Sequence, residues 1–171
     1  MSHPTYTTEQ VHQIYDRIRL PKKHRHDPSE KAKELARGNG GLELLSALQR
    51  HHLANVPFEN LELHYSPTKV INTDPELLFQ KIVTQDTGRG GYCMENNLFF
   101  ATLLRTLGFS AMSTGGRVNT AVQPSGDIGP EERYTGWSHM VNIITIQGQR
   151  YMVDVGFGTG QATHPLLLVD R

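Results

Sequence analysis

The spacing of apolar residues changes at Gly108, and this change constrains the fold more than any other feature of the sequence. Before Gly108 apolar residues recur three and four positions apart, as in Val11, Ile14 and Ile18, which is the pattern of an amphipathic helix. After Gly108 the runs HMVNIITI and RYMVDVGF are rich in β-branched and aromatic residues, which favour strands. Helices followed by antiparallel strands predict an α+β fold.

Capping signals predict where single helices begin and end. Thr7 and Gln10 have the spacing of a capping box before the first helix. Asp74 precedes a proline, which predicts a helix that continues to about residue 83. A further helix is predicted over residues 94–107, where a glycine ends it, and a short extended stretch is expected over 61–64.

The dipeptide QG at 147–148 separates the two strand-like runs and predicts a tight β-hairpin. Counting outward from this turn places His139 opposite Gly156. Asp154 then lies diagonal to His139 on the same face, about 7–8 Å away at Cα, which predicts a hydrogen bond between the two side chains. A register shifted by one residue would put them on opposite faces. The segment 119–136, rich in Pro, Gly, Asn and Asp, is predicted to be a long loop.

Cys93 is the only cysteine, and it lies in TGRGGYCMENN at the start of a predicted helix. Free N–H groups and the positive dipole end of a helix favour a thiolate at such a position. A thiolate nucleophile needs a base that a third group orients, and the predicted pair of His139 and Asp154 supplies both. Taken one at a time, each residue also has a purely structural interpretation: Cys93 as a small buried thiol, His139 as a histidine at the start of a strand, and Asp154 as a carboxylate at the end of one. Together they indicate a nucleophilic cysteine enzyme, which leaves open a protease, a transglutaminase-like enzyme or an acyltransferase.

Charge and composition argue against several other classes. Seventeen basic and seventeen acidic residues balance, so the chain offers no electrostatic reason to expect nucleic acid or a membrane surface as partner. No apolar run approaches the ~20 residues that span a bilayer, and the N-terminus has no signal-peptide pattern. One cysteine forms no intrachain disulfide, so we expect a reducing, cytoplasmic compartment. The spacing of the histidines and the cysteine matches no metal-ligand pattern, so no metal is expected.

Four motifs resemble, in order, the hallmarks of the arylamine N-acetyltransferase family. RGGYCMENN is similar to the sequence around the family's active cysteine, and HHLANVPFENLEL, residues 51–63, is similar to its PFENL segment. SHM with His139 and YMVDVGFG with Asp154 match the positions of the other two triad residues. The likeness extends from the first helix to residue 171, and the GYCMENN form is most similar to the fungal branch.

The resemblance implies a two-step acyl transfer of the kind used in xenobiotic detoxification. Cys93 takes an acetyl group from acetyl-CoA as a thioester, and an arylamine, arylhydrazine or N-arylhydroxylamine then accepts it. His139 activates the thiol and later handles the amine proton, while Asp154 orients the imidazole. Backbone N–H groups at the start of the Cys93 helix are the expected oxyanion donors. The reaction implies coenzyme A thioester and a small amine as partners, and no metal.

The resemblance also implies binding residues. Thr135 and Gly136 match a stretch that contacts CoA. Ser138 and His139 match a stretch near the acceptor amine, and Phe58 matches an aromatic residue that lines the substrate pocket.

Arg89 and Glu95 flank Cys93 within the first motif. We interpret them as a structural ion pair or a clamp on the glycine-rich turn, and not as acid–base residues.

The fold that the resemblance implies is a helical bundle, then an antiparallel β-barrel, then a third α/β region that acts as a lid. Its papain-like core carries the cysteine on a helix and the His and Asp on the sheet. We accordingly assign residues 1–108 to the helical domain with Cys93, and residues 109–171 to the first part of the barrel domain. Because family members continue beyond Arg171, we expect a C-terminally truncated chain in which the lid domain is missing.

This length leaves three interpretations: a fragment of a normal enzyme, a short product that is inactive or folds poorly, and a non-catalytic subunit whose exposed strand edge is completed by a partner. Two further enzyme alternatives are a cysteine hydrolase of related core, against which the family motifs argue, and an N-acyltransferase that uses malonyl-CoA. The acceptor amine and the oligomeric state stay open at this point.

Overall fold

In the computed structural model, residues 3–119 and 134–169 are described, and within these ranges helices precede a single antiparallel sheet. The α+β prediction is therefore confirmed. The helices are α1 (Thr8–Arg17), α2 (Glu30–Arg37), α3 (Gly41–Asn55), α4 (Leu61–Tyr65), α5 (Pro75–Phe79) and α6 (Cys93–Thr106), with a 3-10 turn at Lys22–His24 and a π-helical turn at Gln80–Thr84. The strands are β1 (Ser110–Asn119), β2 (Tyr134–Ile146), β3 (Gln149–Val153) and β4 (Leu166–Leu167), and they lie in that order in the sheet.

The predicted helix starts are present, because their caps involve only neighbouring residues. The Thr7 hydroxyl accepts the N–H of Gln10, and the Gln10 side chain accepts the N–H of Thr7, so the capping box is complete. The Asp74 carboxylate accepts two N–H groups at the start of α5. Helix α6 begins at Cys93, one residue earlier than predicted.

Between residues 61 and 84 one local prediction is wrong and one is refined. Residues 61–65 form α4 instead of an extended stretch, and the Glu59 carboxylate accepts the N–H of Leu61, the first residue of this helix, at 2.7 Å. The helix after Asp74 reaches the predicted end near residue 83, but its last part, Gln80–Thr84, is a π-helical turn. This turn has consequences for the site, because it carries Lys81.

The hairpin turn has the predicted register. Gln147 and Gly148 both have positive φ, 50° and 79°, as a type I′ turn requires, and Ile146 pairs with Gln149. The β2–β3 ladder ends at Val153, so the predicted pairing of His139 with Gly156 is not part of it, and the residues after Val153 turn away from the sheet.

The predicted loop over 119–136 is corrected at both ends. Asn119 belongs to β1 and pairs with Tyr134, the first residue of β2. Residues 134–136 are therefore strand, and the prediction for residues 120–133 lies outside the described residues.

Helix α6 lies at the centre of the core, between the other helices and the sheet. Phe99, Phe100 and Leu103 on α6 have no exposed surface, and they belong to the same apolar cluster as Ile144 of β2 and Val153 of β3. At about 25 cal/mol per Å² of buried apolar surface, such residues dominate the stability of the fold. The buried helix thereby holds its first residue, Cys93, against the sheet.

The sheet of the described residues is open, with β1 and β4 as its two edges, so it does not close into the expected barrel. One apolar cluster contains residues from both sides of the boundary at 108 and 109. The division into a helical and a barrel domain stays a prediction.

Candidate active site

His139 and Asp154 form the hydrogen bond that the hairpin spacing predicts. Nε2 of His139 lies 2.6 Å from Oδ2 of Asp154, and each side chain is only 10% exposed. The second carboxylate oxygen, Oδ1, accepts the backbone N–H of Gly156 at 2.8 Å. Asp154 lies just beyond the end of β3, so the turn that follows the strand holds the carboxylate in place.

Asn97 joins the helix to the sheet at this point, and the sequence analysis did not identify it. Its Nδ2 donates to Oδ1 of Asp154 at 2.9 Å and to the carbonyl of Met140 at 2.7 Å, while its Oδ1 accepts the N–H of Val155 at 3.1 Å. Asn97 lies four residues after Cys93, and positions i and i+4 share one face of a helix. This spacing within CMENN is the signal that would have found it.

Cys93 is the first residue of α6 and is 2% exposed. Its Sγ lies 4.0 Å from the carbonyl oxygen of Ser138, the residue before His139. Gly156 allows the close approach, since a Cβ at that position would lie 2.7 Å from Cα of Cys93. Helix start, strand and turn therefore meet at one thiol.

The imidazole of His139 bonds to Asp154 and interacts electrostatically with Cys93. Burial by itself lowers the pKa of His139, but hydrogen bonds and charge interactions with Asp154 and Cys93 raise it to about 9. Because Nε2 faces Asp154, the other ring nitrogen, Nδ1, is the one left for Cys93. The arrangement favours the imidazolium form near neutral pH, which is the form that a thiolate neighbour stabilises.

Arg89 and Glu95 do not pair with each other; each binds a different partner. Nε of Arg89 lies 2.7 Å from Oε1 of Glu59, and its Nη2 lies 3.4 Å from Glu62. Arg89 therefore ties the glycine-rich turn to the ENLE segment. The interpretation of Arg89 as a clamp on the turn agrees with these contacts, and the direct ion pair does not form.

Glu95 is held by Lys81 from the π-helical turn. Its Oε1 lies 2.8 Å from Nζ of Lys81, and its Oε2 accepts the N–H of Tyr92 at 2.9 Å. The Glu95 side chain is 2% exposed and that of Lys81 13%. Lys81 also lies 3.7 Å from Glu59, which joins this pair to the contacts of Arg89. A chain of buried and half-buried charges thus borders the residue that precedes Cys93.

Three of the expected binding residues, Thr135, Gly136 and Ser138, lie on β2 shortly before His139. Oγ1 of Thr135 lies 2.9 Å from Oγ of Ser138, and both Gly136 and Ser138 are exposed. Phe58 is 41% exposed and its ring lies 5.6 Å from that of Tyr92, the neighbour of Cys93. Their roles in binding CoA and the acceptor stay predictions.

Phe157 is a further residue that the sequence analysis missed, although it belongs to the VGFG motif. Its ring meets that of His139 edge to face, with centroids 5.2 Å apart at 85°. The Phe157 side chain thus covers one side of the imidazole with apolar surface, while 40% of the residue is exposed.

Two grooves open beside His139. One, of about 370 Å³, is lined by Phe157, Val141 and Met152. The other, of about 310 Å³, is lined by Met94 and Trp137. Among the described residues no group of three or more His, Cys, Asp or Glu side chains could hold a metal ion. In the same part of the chain, no helix has the length and apolar character to cross a membrane.

Solved arylamine N-acetyltransferases share this arrangement of helices against an antiparallel sheet. The structure aligns with the arylamine N-acetyltransferase from Salmonella typhimurium at a TM-score of 0.72 and 27% identity, over 96% of this chain and 50% of that one. It also aligns with the Mycobacterium marinum arylamine N-acetyltransferase in complex with CoA, at a TM-score of 0.68 and 30% identity, over 93% and 51% of the two chains.

The sequence comparison identifies the family. The N-acetyltransferase family model matches residues 41–171, and the chain belongs to the arylamine N-acetyltransferase family. It is 44% identical over 159 residues to N-malonyltransferase FDB2 from Fusarium pseudograminearum, a match that covers 91% of this chain and 46% of that protein. The chain thus spans about half the length of these relatives.

Proposed function

We propose that the protein is an acyl-CoA-dependent N-acyltransferase that carries its acyl group on Cys93. The observation that carries this proposal is the 2.6 Å bond between His139 and Asp154 directly beside the buried thiol. The preferred donor is acetyl-CoA and the acceptor an arylamine or arylhydrazine, in a reaction of xenobiotic detoxification. Support for the chemistry comes from relatives that are named as N-acetyl- and N-malonyltransferases.

In the first half-reaction Cys93 becomes acylated. In the resting pair His139 already holds the proton of Sγ as an imidazolium, and the thiolate of Cys93 attacks the thioester carbonyl of acyl-CoA. The tetrahedral oxyanion is stabilised by backbone N–H groups at the start of α6. When the carbon–sulfur bond to CoA breaks, His139 returns its proton to the departing CoA thiolate, and the acyl group stays on Sγ.

In the second half-reaction the amine accepts the acyl group. The amine nitrogen attacks the carbonyl of the Cys93 thioester, and His139 takes the proton that the nitrogen loses. The carbon–sulfur bond breaks, Sγ leaves as a thiolate, and the amide is released. Asp154 orients the imidazole in both steps and stabilises its protonated form, while Asn97 and Gly156 hold the Asp154 carboxylate.

The donor site lies along the start of β2 in this proposal. Thr135 and Gly136 contact CoA there, and the solved M. marinum relative in complex with CoA supports a CoA site within the family. Malonyl-CoA is the second candidate donor, because the 44% identical F. pseudograminearum relative is named as an N-malonyltransferase.

The experiment is intact-mass analysis of the purified protein with acetyl-CoA or malonyl-CoA in the absence of any amine. We expect one acyl group on wild-type protein, its loss when an arylamine is added, and no adduct on Cys93→Ala. Comparing the two initial rates of acylation decides the donor.

Two outcomes would overturn the proposal. If protein that is folded by circular dichroism gains no acyl group from either donor, the chain is a non-catalytic product or needs a partner. If CoA is released steadily without an amine, the protein is a thioester hydrolase.

A further inference from the structure

Trp137 is the only tryptophan in the chain, and it lies two residues before His139 with 78% of its surface exposed. Tryptophan side chains are enriched at binding interfaces, where the indole contributes a large apolar face. Trp137 pairs with Arg117 of β1, and the ladder between β1 and β2 shifts register at this pair. Such irregularities re-aim side chains near functional sites.

The indole lies against the backbone of β1. A Cβ built on Gly115 would be 3.2 Å from Cε3 and 3.7 Å from Cζ3 of Trp137, so the absence of a side chain at residue 115 gives the ring its place. The ring forms one wall of the 310 Å³ groove that opens beside His139. The remaining lining residues are Met94, Ser113, Thr114, Gly115 and Met140.

The composition of this groove suits a flat, uncharged aromatic ring. Indole stacks on aromatic rings, and the thioethers of Met94 and Met140 make favourable contacts with ring edges. Arg117 is directed elsewhere, since its guanidinium donates to the carbonyls of Thr135 and Tyr134. The described lining therefore supplies no lysine or arginine for the phosphates of a nucleotide.

The position of the groove indicates which substrate supplies that ring. His139 is one of the lining residues, and Met94 directly follows Cys93, so an occupant lies next to the reacting atoms. In CoA the adenine and the thiol lie at opposite ends of a long chain, so a CoA that delivers its thioester to Cys93 keeps its adenine away from His139. An arylamine carries its reactive nitrogen directly on the ring.

We propose that Trp137 is the stacking face for the aromatic ring of the acceptor amine and thereby sets the preference for aromatic over aliphatic amines. This inference rests on the proposed N-acyltransferase function, and it adds Trp137 to the substrate contacts that the motifs imply.

The binding test uses the fluorescence of Trp137, which as the sole tryptophan reports on this groove alone. The Cys93→Ala variant prevents turnover while keeping the groove, and it is titrated separately with 4-methoxyaniline, cyclohexylamine and CoA. Absorption by free amine is corrected with N-acetyltryptophanamide. We expect saturable quenching by 4-methoxyaniline and none by cyclohexylamine, whatever change CoA causes from its proposed contacts at the neighbouring Thr135 and Gly136. Quenching by CoA without quenching by the arylamine, or no saturable change with any ligand, overturns the proposal.

The kinetic test compares Trp137→Leu, which removes the planar face, with Trp137→Phe, which keeps one. Stacking of this kind changes affinity by about 3- to 10-fold. We expect Trp137→Leu to lower kcat/KM for 4-methoxyaniline by that factor in transfer from acylated protein, and Trp137→Phe to stay within about twofold of wild type. Tyr65→Leu, which removes another exposed aromatic ring outside both grooves, is the matched control.

The two tests separate failure of the inference from failure of the proposed function. If wild-type Cys93 is not acylated, the transferase proposal fails, and the fluorescence titration still decides whether the groove binds arylamines. If Cys93 is acylated but Trp137→Leu slows its acylation by acyl-CoA and leaves amine transfer unchanged, the groove serves the donor and the inference is wrong.

Discussion

Replacing Lys81 by methionine tests whether the ion pair with Glu95 holds the turn before Cys93. The substitution keeps the length of the side chain and removes its charge, which leaves Glu95 with only the N–H of Tyr92 as a partner. Removing one partner of a buried ion pair costs about 3–5 kcal/mol. Because Lys81 is 13% exposed and water can reach it, we expect the lower end, about 3 kcal/mol of unfolding free energy.

Glu95→Gln supplies the matched control. The glutamine side chain keeps an oxygen for the N–H of Tyr92, and Lys81 keeps Glu59 at 3.7 Å, so this single change should cost less. In the double variant neither side chain is charged, so the penalty for a buried unpaired carboxylate disappears. We therefore expect the double variant to be more stable than the sum of the single effects predicts, by about 2 kcal/mol.

The assay is urea unfolding followed by circular dichroism, combined with the rate at which iodoacetamide alkylates Cys93. If Lys81 only adds surface charge, Lys81→Met will cost less than about 1 kcal/mol, as exposed pairs do, and the two substitutions will be additive. Either result would refute the view that this pair holds the start of α6. Lys81→Arg should retain most of the stability and the alkylation rate of wild type.

Three further predictions follow from the site and the core. Asp154→Asn should slow acylation of Cys93, measured in single turnover, by about a thousandfold or more with the fold intact, and a near-normal rate would show that Asp154 has no part in the proposed mechanism. Gly156→Ala should cost about 1–3 kcal/mol in urea unfolding, because its Cβ would lie 2.7 Å from Cα of Cys93; unchanged stability would contradict the packing. Burial, with a smaller effect of the charge of Arg17, lowers the pKa of His52 to about 3. Between pH ~6.5 and that value the unfolded chain therefore binds a proton at His52, and the folded protein does not. The stability linked to His52 is complete above pH ~6.5 and falls on acidification, by about 2 kcal/mol at pH 5, so pH-dependent thermal unfolding of His52→Leu should lack this component.

The site itself was predictable to the extent that it depends on spacing along one element. A hairpin with a type I′ turn determines which residues of β2 and β3 share a face, and this was enough to predict the bond between His139 and Asp154. Asn97 was within reach of the same reasoning, because it lies one helical turn after Cys93. No sequence pattern indicated a role for Trp137, because its exposure and the groove beside it depend on the neighbouring strand β1.

The partners of Arg89 and Glu95 could not be predicted from the sequence, for a different reason. Both side chains are long, and several opposite charges lie within their range in the folded protein. Arg89 binds Glu59 and Glu62, while Glu95 binds Lys81, which the π-helical turn carries to it. A charge network of this kind follows from packing and not from position in the chain.

Features whose interactions span four residues or fewer follow from the local sequence alone: the capping box at Thr7, the cap at Asp74 and the turn at Gln147 and Gly148. Local hydrogen bonds and backbone preferences select these geometries before any tertiary contact forms. Which distant groups come together near Cys93 depends on the packing of the whole fold: the His139–Asp154 pair, the amide of Asn97 and the two grooves beside His139. Those meetings require the burial of α6 against the sheet, and this burial depends on apolar contacts from the whole chain.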